Sequence, residues 1–400
     1  MTEQTGEHGI IKSEEMLLNM GPQHPSTHGV LRLKITTDGE IVSKIEPVIG
    51  YLHRCFEKHC EHLTYEQIIP YTDRCDYIAS MHMDHAYVLA METLMKIEVP
   101  ERVSYIRIIV GELQRIASHL VALGTFGLDI GAITPFTWMI RDRERILDLF
   151  EYLCGARLLY NYIWIGGVSH DLPAKFIDRT KEFIDYFKPQ MDEFDQLLTF
   201  NKIFIERTAD VGIMPPEVAI NYGVTGPSLR GSGVKWDLRK NEPYSLYDRM
   251  EFDVPVGDGR MGSVGDCWDR YWVRMLEMRE SVRIIEQALK EIPSGDVKAA
   301  IPKRIRHPVL RTVRAVGLPS PARRTAFRSV IRLPGNQRVT LTQSANGILE
   351  KAFVAKPQMS AVPWRVKPSV KDSQDAPGTR RNRNVTHRKL WTRMLDSVGP

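Results

Sequence analysis

The chain has 400 residues, of which 43% are hydrophobic and 26% charged, with a formal net charge of +5. That is the composition of a globular protein with room for a large core, in one big domain or two, and it excludes a fibrous or wholly disordered chain. No apolar run approaches the ~20 residues that span a bilayer, and the polar, acidic opening MTEQTGEHGIIKSEE reads as neither a signal nor a transit peptide.

A cytoplasmic protein, docked at most on a membrane partner, is therefore expected. The net charge conceals a break. Residues 301–400 carry 21 Lys and Arg against 4 Asp and Glu, which leaves 33 against 45 in residues 1–300. The body is acidic and the end strongly basic. Five cysteines (Cys55, Cys60, Cys75, Cys154, Cys267) are few and odd in number, and none forms a CxxC pair, so no disulfide framework is expected.

In chain order, the first informative segment is Gly21–Gly29, GPQHPSTHG. Its prolines fix the backbone and its glycines permit unusual dihedrals, so it reads as a rigid loop presenting the imidazoles of His24 and His28. Residues 30–48 place β-branched runs on both sides of Asp38-Gly39, a hairpin signal. A second cluster, LHRCFEKHCEH, follows at Leu52–His62.

From about Asp76 the apolar period becomes helical, with Tyr77, Met81, Ala86, Leu89, Ala90 and Leu94 on one face. A longer helix is predicted from near Pro100, burying Ile106, Ile109, Val110, Leu113, Ile116, Leu120 and Leu123. Others are predicted around 141–162, 174–199 and 268–291, the last with Met275, Met278, Val282, Ile285 and Leu289 on its apolar side. Residues 207–265 are Gly- and Pro-rich, with short strand candidates such as EFDVPVG. After about His307 the periodicity fades into Arg-, Pro-, Ser- and Thr-rich text.

Three constellations could carry chemistry. His53, Cys55, His59, Cys60 and His62, with His82 and His85 in reach only if a helix meets the loop, are of metal-ligating type. They lack the second downstream pair of a structural zinc site, and a polar partner surface is the better reading. LRGSGVKWDLRK at 229–240 places GSG among basic residues. It lacks the phosphate-loop pattern and its strand–helix context, so a structural turn is expected there instead of a nucleotide site. The third set is His24 or His28, Tyr77 in YTDRCDY and Asp129 in LDIGAITPF. Reduction of a quinone takes two electrons and two protons; a His (pKa ~6.5) and a Tyr (~10) can each bond a ketone oxygen and release a proton as charge arrives. A carboxylate beside the His would hold it protonated and oriented. Taken singly, Tyr77 could be an ordinary half-buried aromatic, and Asp129 a helix-terminus residue before Gly131 and Pro135.

GPQHPSTHG, IGYLHRCFEK, YTDRCDY, LDIGAITPF, RDRER, IGGVSHDLP, LRGSGVKWDLRK, FDVPVG, GDCWDRY and EMRESVRIIEQAL, in this order, resemble the D-type (49-kDa-type) quinone-pocket subunit of respiratory complex I, an NADH:quinone oxidoreductase. The resemblance covers residues 17–306, between a polar extension at 1–16 and the basic stretch 307–400. It implies a mainly α fold like the large subunit of [NiFe] hydrogenases, a helical core with a small α+β portion and an N-terminal β-hairpin. Two CxxC pairs hold the metal centre in hydrogenases. Here four residues separate Cys55 from Cys60 and no cysteine follows Cys267, so no hydrogenase centre and no metal is expected in this chain.

The resemblance further implies that quinone is the substrate and that this chain binds no cofactor of its own. The catalytic residues would be His28, Tyr77 and Asp129, with His24 beside the headgroup and Arg54 near the terminal [4Fe–4S] cluster of a small B-type partner subunit. A C-type subunit, a ferredoxin-like I-type subunit and a membrane H-type subunit complete the implied partners; NADH and FMN bind elsewhere in the complex. The chain would sit peripherally on the cytoplasmic face of the cell membrane, and the acidic body argues against nucleic acid as a partner.

The chain departs from the family in three places. Leu159 in GARLLYNY stands where many relatives have a histidine. VGDGRMGSVGDC is a few residues longer than usual. Nothing after Arg306 resembles the family's GELGFY-like and GEVDR-like segments. For 307–400 a frameshifted continuation is preferred to a genuine variant tail. With the tail genuine, the alternative is a structural scaffold subunit without a competent quinone pocket.

Overall fold

The structure, a computed structural model, describes residues 15–301 and the backbone of three strands beyond them. The chain divides into two compact units, Met1–Arg54 with Gly378–Pro400, and Cys55–Pro377.

The first unit contains a three-stranded antiparallel sheet of β1 (Glu15–Met20), β2 (Arg32–Asp38) and β3 (Ile41–Val48), in that order. β2 and β3 form the expected hairpin around Gly39, whose φ of 61° is the left-handed value that such a turn requires. Register Leu18↔Ile35 and Ile35↔Ile45 puts these apolar side chains on one face. β1 was not foreseen because EMLLNM has neither β-branched residues nor strict alternation.

The second unit is helical. α1 (Phe56–Cys60) and α2 (Tyr65–Thr72) lead into α3 (Ser80–Met95), α4 (Glu101–Asp129) and α5 (Ile133–Cys154). A two-stranded hairpin of β4 (Ile163–Trp164) and β5 (Gly167–Val168) precedes α6 (Phe176–Phe194), which continues through a π turn to Thr199. The short helices α7 (Lys202–Thr208), α8 (Pro216–Asn221), α9 (Gly226–Gly231) and α10 (Leu238–Asn241) lead to α11 (Cys267–Glu291). α4 packs against both α5 and α11 along the centre of this unit. All seven residues expected on the buried face of α4 are 0–1% exposed, and the five expected on α11 are buried too. At ~1.5–3 kcal/mol for each buried aliphatic side chain, this double row dominates the core.

Three helix boundaries and one strand differ from the sequence reading. α3 begins at Ser80, not near Asp76, because the Asp76 carboxylate accepts the Ile78 N–H at 3.1 Å and turns the chain before the helix starts. α5 starts at Ile133 with Pro135 in its first turn, and it stops at Cys154 because Gly155 takes φ 76°. EFDVPVG forms no strand; Glu251 and Asp253 bond their N–H groups to Gln287 and Glu280 of α11 instead of to a neighbouring strand. The basic stretch after residue 306 lies outside the described residues except for the backbone of β6 (Phe327–Arg332), β7 (Arg338–Gln343) and β8 (Leu349–Ala355), an antiparallel sheet in that order. Among the described residues no helix is long and apolar enough to cross a membrane.

Candidate functional site

In the first unit, the GPQHPSTHG loop is organised by its own polar groups. His24 caps the 3₁₀ turn Pro25–Thr27, its Nδ1 accepting the Ser26 N–H at 3.1 Å, which leaves the neutral ring's proton on Nε2. Thr27 is buried, and its hydroxyl bonds the carbonyls of His24 (2.8 Å) and Gly29 (3.2 Å). His28 is exposed at φ 47°. A Cβ on Gly21 would fall 1.8 Å from the Leu31 carbonyl oxygen, so only glycine lets the loop close onto β2. Both imidazoles are thus surface groups on a fixed backbone, as the prolines and glycines implied. Arg54, also exposed, ends this unit.

In the second unit, Tyr77 lies on the α2–α3 connection with its side chain 44% exposed. Buried groups hold its backbone. The Ser80 hydroxyl reaches the carbonyls of Tyr77 (3.3 Å) and Asp73 (3.1 Å), and the amide of Gln114, buried on α4, donates to the Ile78 carbonyl at 2.5 Å. Asp76, beside Tyr77, is pushed up to about 6 by burial, against two backbone N–H bonds that pull it down. Asp129 is exposed at the last residue of α4. Tyr77 and Asp129 therefore share a unit but sit on different elements, while His24, His28 and Arg54 belong to the other unit.

The metal-type residues do not assemble. His59 lies against the Tyr71 ring in a tilted arrangement, centroids 5.3 Å apart, and His85 pairs with Ser245 at 3.2 Å. Burial pushes the Cys60 thiol up to about 12, the reverse of what a thiolate ligand needs. Among the described residues no three His, Cys, Asp or Glu are grouped as a metal site.

The segment LRGSGVKWDLRK is no phosphate loop: its arginines are buried in ion pairs. Arg230 holds Glu277 of α11 at 2.7 Å, and Arg239 holds Asp237 at 2.7 Å and Glu112 of α4 at 3.1 Å. Glu112 also accepts from Arg115 (3.0 Å), Tyr247 (2.6 Å) and Ser281 (2.6 Å), and Glu277 takes His119 at 2.8 Å. Burial works to raise Glu112, but the charges of Arg115 and Arg239 outweigh it and hold the carboxyl well below its usual range. The backbone comes close enough for this because a Cβ on Gly257 would lie 2.1 Å from the Gly231 carbonyl oxygen. A parallel device holds the β4–β5 turn: Arg107, paired with Glu92 at 2.7 Å, donates to the carbonyls of Trp164 and Gly167. The spacing Glu112, Arg115, His119 places three polar groups on one side of α4, a sequence signal of this network.

Residues 129–376 match the family described as the 49 kDa subunit of respiratory-chain NADH dehydrogenase. The chain is 59% identical over 299 residues to the NADH-quinone oxidoreductase D subunit of Chlorobium luteolum, covering 74% of this chain and 76% of that protein. The D subunit of Chlorobaculum tepidum is likewise 59% identical over 299 residues, covering 74% and 75%. The first of the numbered D subunits of Cytophaga hutchinsonii is 55% identical over 311 residues, covering 76% and 79%. A charged network buried between α4 and α11, a helical core and this identity agree. The chain belongs to the 49 kDa family of respiratory-chain NADH dehydrogenase, the D-type subunits of NADH-quinone oxidoreductase.

Proposed function

We propose that this chain binds the quinone headgroup and receives electrons for it from the terminal [4Fe–4S] cluster of a B-type partner. The observation that carries the reading is Tyr77, an exposed phenol whose backbone is pinned from beneath by Gln114, Ser80 and Asp76. A rigidly held, accessible aromatic is suited to meet a ligand.

Each residue has a part in the chemistry. The Tyr77 hydroxyl donates to one ketone oxygen, and an imidazole of the HPSTH loop, His28, supplies the second proton, so that quinone plus two electrons and two protons becomes quinol. Asp129 is the carboxylate that the resemblance assigns to the same set. A carboxylate at the C-terminal end of a 29-residue helix opposes the helix dipole, at ~0.3–1 kcal/mol, which fits a residue kept for function better than one kept for stability. His24, locked as a cap, shapes the loop beside the headgroup. The positive charge of Arg54 would favour the reduced state of the partner's cluster.

No metal or cofactor is assigned to this chain; NADH and FMN act elsewhere in the complex. B-, C-, I- and H-type subunits are the proposed partners, and the cytoplasmic face of the membrane the proposed location. The test is turnover of the assembled complex carrying Tyr77→Phe or His28→Ala. Quinone reduction should fall about 100- to 10,000-fold with the subunits still associated, the size of a lost proton donor. Normal turnover in both variants would sink the assignment.

A further inference from the structure

Asp73 follows the last residue of α2, Asp84 lies early in α3, and both side chains are fully buried. Each commits one oxygen to an ordinary donor. Asp73 Oδ2 accepts the Asn161 N–H at 3.0 Å, and Asp84 Oδ1 accepts the Thr72 hydroxyl at 2.8 Å. The remaining oxygens, Asp73 Oδ1 and Asp84 Oδ2, are buried and take no donor N–H or O–H among the described residues. The two carboxyl groups nevertheless lie within hydrogen-bonding reach of each other. Two adjacent carboxylates in a dry site cannot both stay ionised, whereas one proton between them satisfies both orphan oxygens at once.

We propose that Asp73 and Asp84 hold a single proton, with Asp84 Oδ2–H donating to Asp73 Oδ1, and that this shared proton positions Tyr77 by locking the α2–α3 connection. The inference rests on the reading of Tyr77 as the headgroup tyrosine and adds the device that places it.

The surroundings fit one negative charge and no more. Burial raises both carboxyls, and the charge of Asp73 works to raise Asp84 as well, so the pair keeps a proton. Arg74 is the cation that acts on both; it lies on the exposed side and bonds the Pro70 carbonyl at 2.6 Å. The other titratable neighbours are Cys75, Cys154 and Tyr160, all raised by burial and so uncharged, and Asp76, three residues along from Asp73. A second charge on the pair would have no counterpart. The mechanical link to Tyr77 is short: the Ser80 hydroxyl bonds both the Asp73 carbonyl and the Tyr77 carbonyl, so displacement of Asp73 displaces the tyrosine backbone.

The test is quinone reduction by the assembled complex in membranes across pH, with Asp84→Asn, Asp73→Ala and Tyr77→Phe beside the wild type. An amide N–H replaces the shared proton in Asp84→Asn and cannot titrate. The wild-type KM for quinone should rise on the alkaline side as the shared proton is lost. Asp84→Asn should keep the neutral-pH KM and lack that rise, and Asp73→Ala should raise KM about tenfold at every pH, the loss of one buried hydrogen bond. The infrared carbonyl band of a protonated acid should disappear in Asp84→Asn. An alkaline limb and carbonyl band unchanged in Asp84→Asn would overturn the proposal. Should that variant fail to accumulate, Asp73→Asn reports the same limb; failure of both amides to assemble also overturns it, since each preserves the bond required. Normal turnover in Tyr77→Phe would remove the reading beneath the proposal while leaving the infrared band in place, so the two failures are distinguishable.

Discussion

The Gln114 side-chain amide donates to the Ile78 carbonyl at 2.5 Å, joining the long central helix α4 to the residue that follows Tyr77. The core thus sets the height of an exposed phenol. Replacing Gln114 by Leu leaves the partly buried Ile78 carbonyl without its donor, at about 1–3 kcal/mol. The expected result is a KM for quinone raised about 5- to 100-fold with a smaller change in kcat, measured in membranes containing the assembled complex.

Glu112 faces Arg115 and Arg239 in the interior. Its truncation to Ala leaves two buried guanidinium groups short of a counter-charge, which costs about 3–5 kcal/mol. The chain should then fail to accumulate in the complex, read by immunoblot or native electrophoresis. Glu112→Ala in normal amounts would mean that the network is not structural.

Burial lowers His82 to about 3, so it is neutral in the folded chain at pH 5–7, and burial shifts His85 and His119 in the same direction. Because their folded pKa values lie below the unfolded ~6.5, their stabilising effect is complete above that pH and declines as pH falls. Each adds about 1.4 kcal/mol per pH unit of acid sensitivity. The thermal midpoint should drop between pH 7 and pH 4, and His82→Leu should make that drop shallower. His82 Nε2 has no donor or acceptor partner among the described residues, so this substitution strands no bond at that atom.

Asp76 works in the opposite direction. Its folded pKa of about 6 lies above the usual carboxylate value, so its effect is fully present at low pH and lost as pH rises through 6. Asp76→Asn should raise the thermal midpoint at pH 8 relative to pH 5, by an amount equivalent to at most about 3 kcal/mol. No difference between the two pH values would show that Asp76 is not held in a desolvated site.

Much of this architecture was legible in the sequence. The apolar rows of α4 and α11, the hairpin at Asp38-Gly39 and the rigid His24–His28 loop follow from spacing and from proline and glycine chemistry. What was not legible depends on tertiary partners. Arg230 and Arg239 stand in a segment that reads as a structural turn among basic residues, and only the approach of α4 and α11 turns them into buried ion pairs. Asp73 and Asp84 are inconspicuous along the chain; they meet because α2 and α3 pack together. Tyr77 fitted a helical period, but the Asp76 side chain competes for the backbone and holds it off the helix. EFDVPVG has strand composition, yet its N–H groups find side-chain acceptors on α11 first.

The most direct measurement of the central claim is photolabelling of the native complex with a photoreactive quinone, followed by tryptic mapping. Trypsin cuts after Arg74 and Lys96, which isolates Tyr77 on the peptide Cys75–Lys96. The expected result is label on that peptide, abolished by excess unlabelled quinone. Competable label that falls only on other subunits, with Cys75–Lys96 clean, would contradict a headgroup site on this chain.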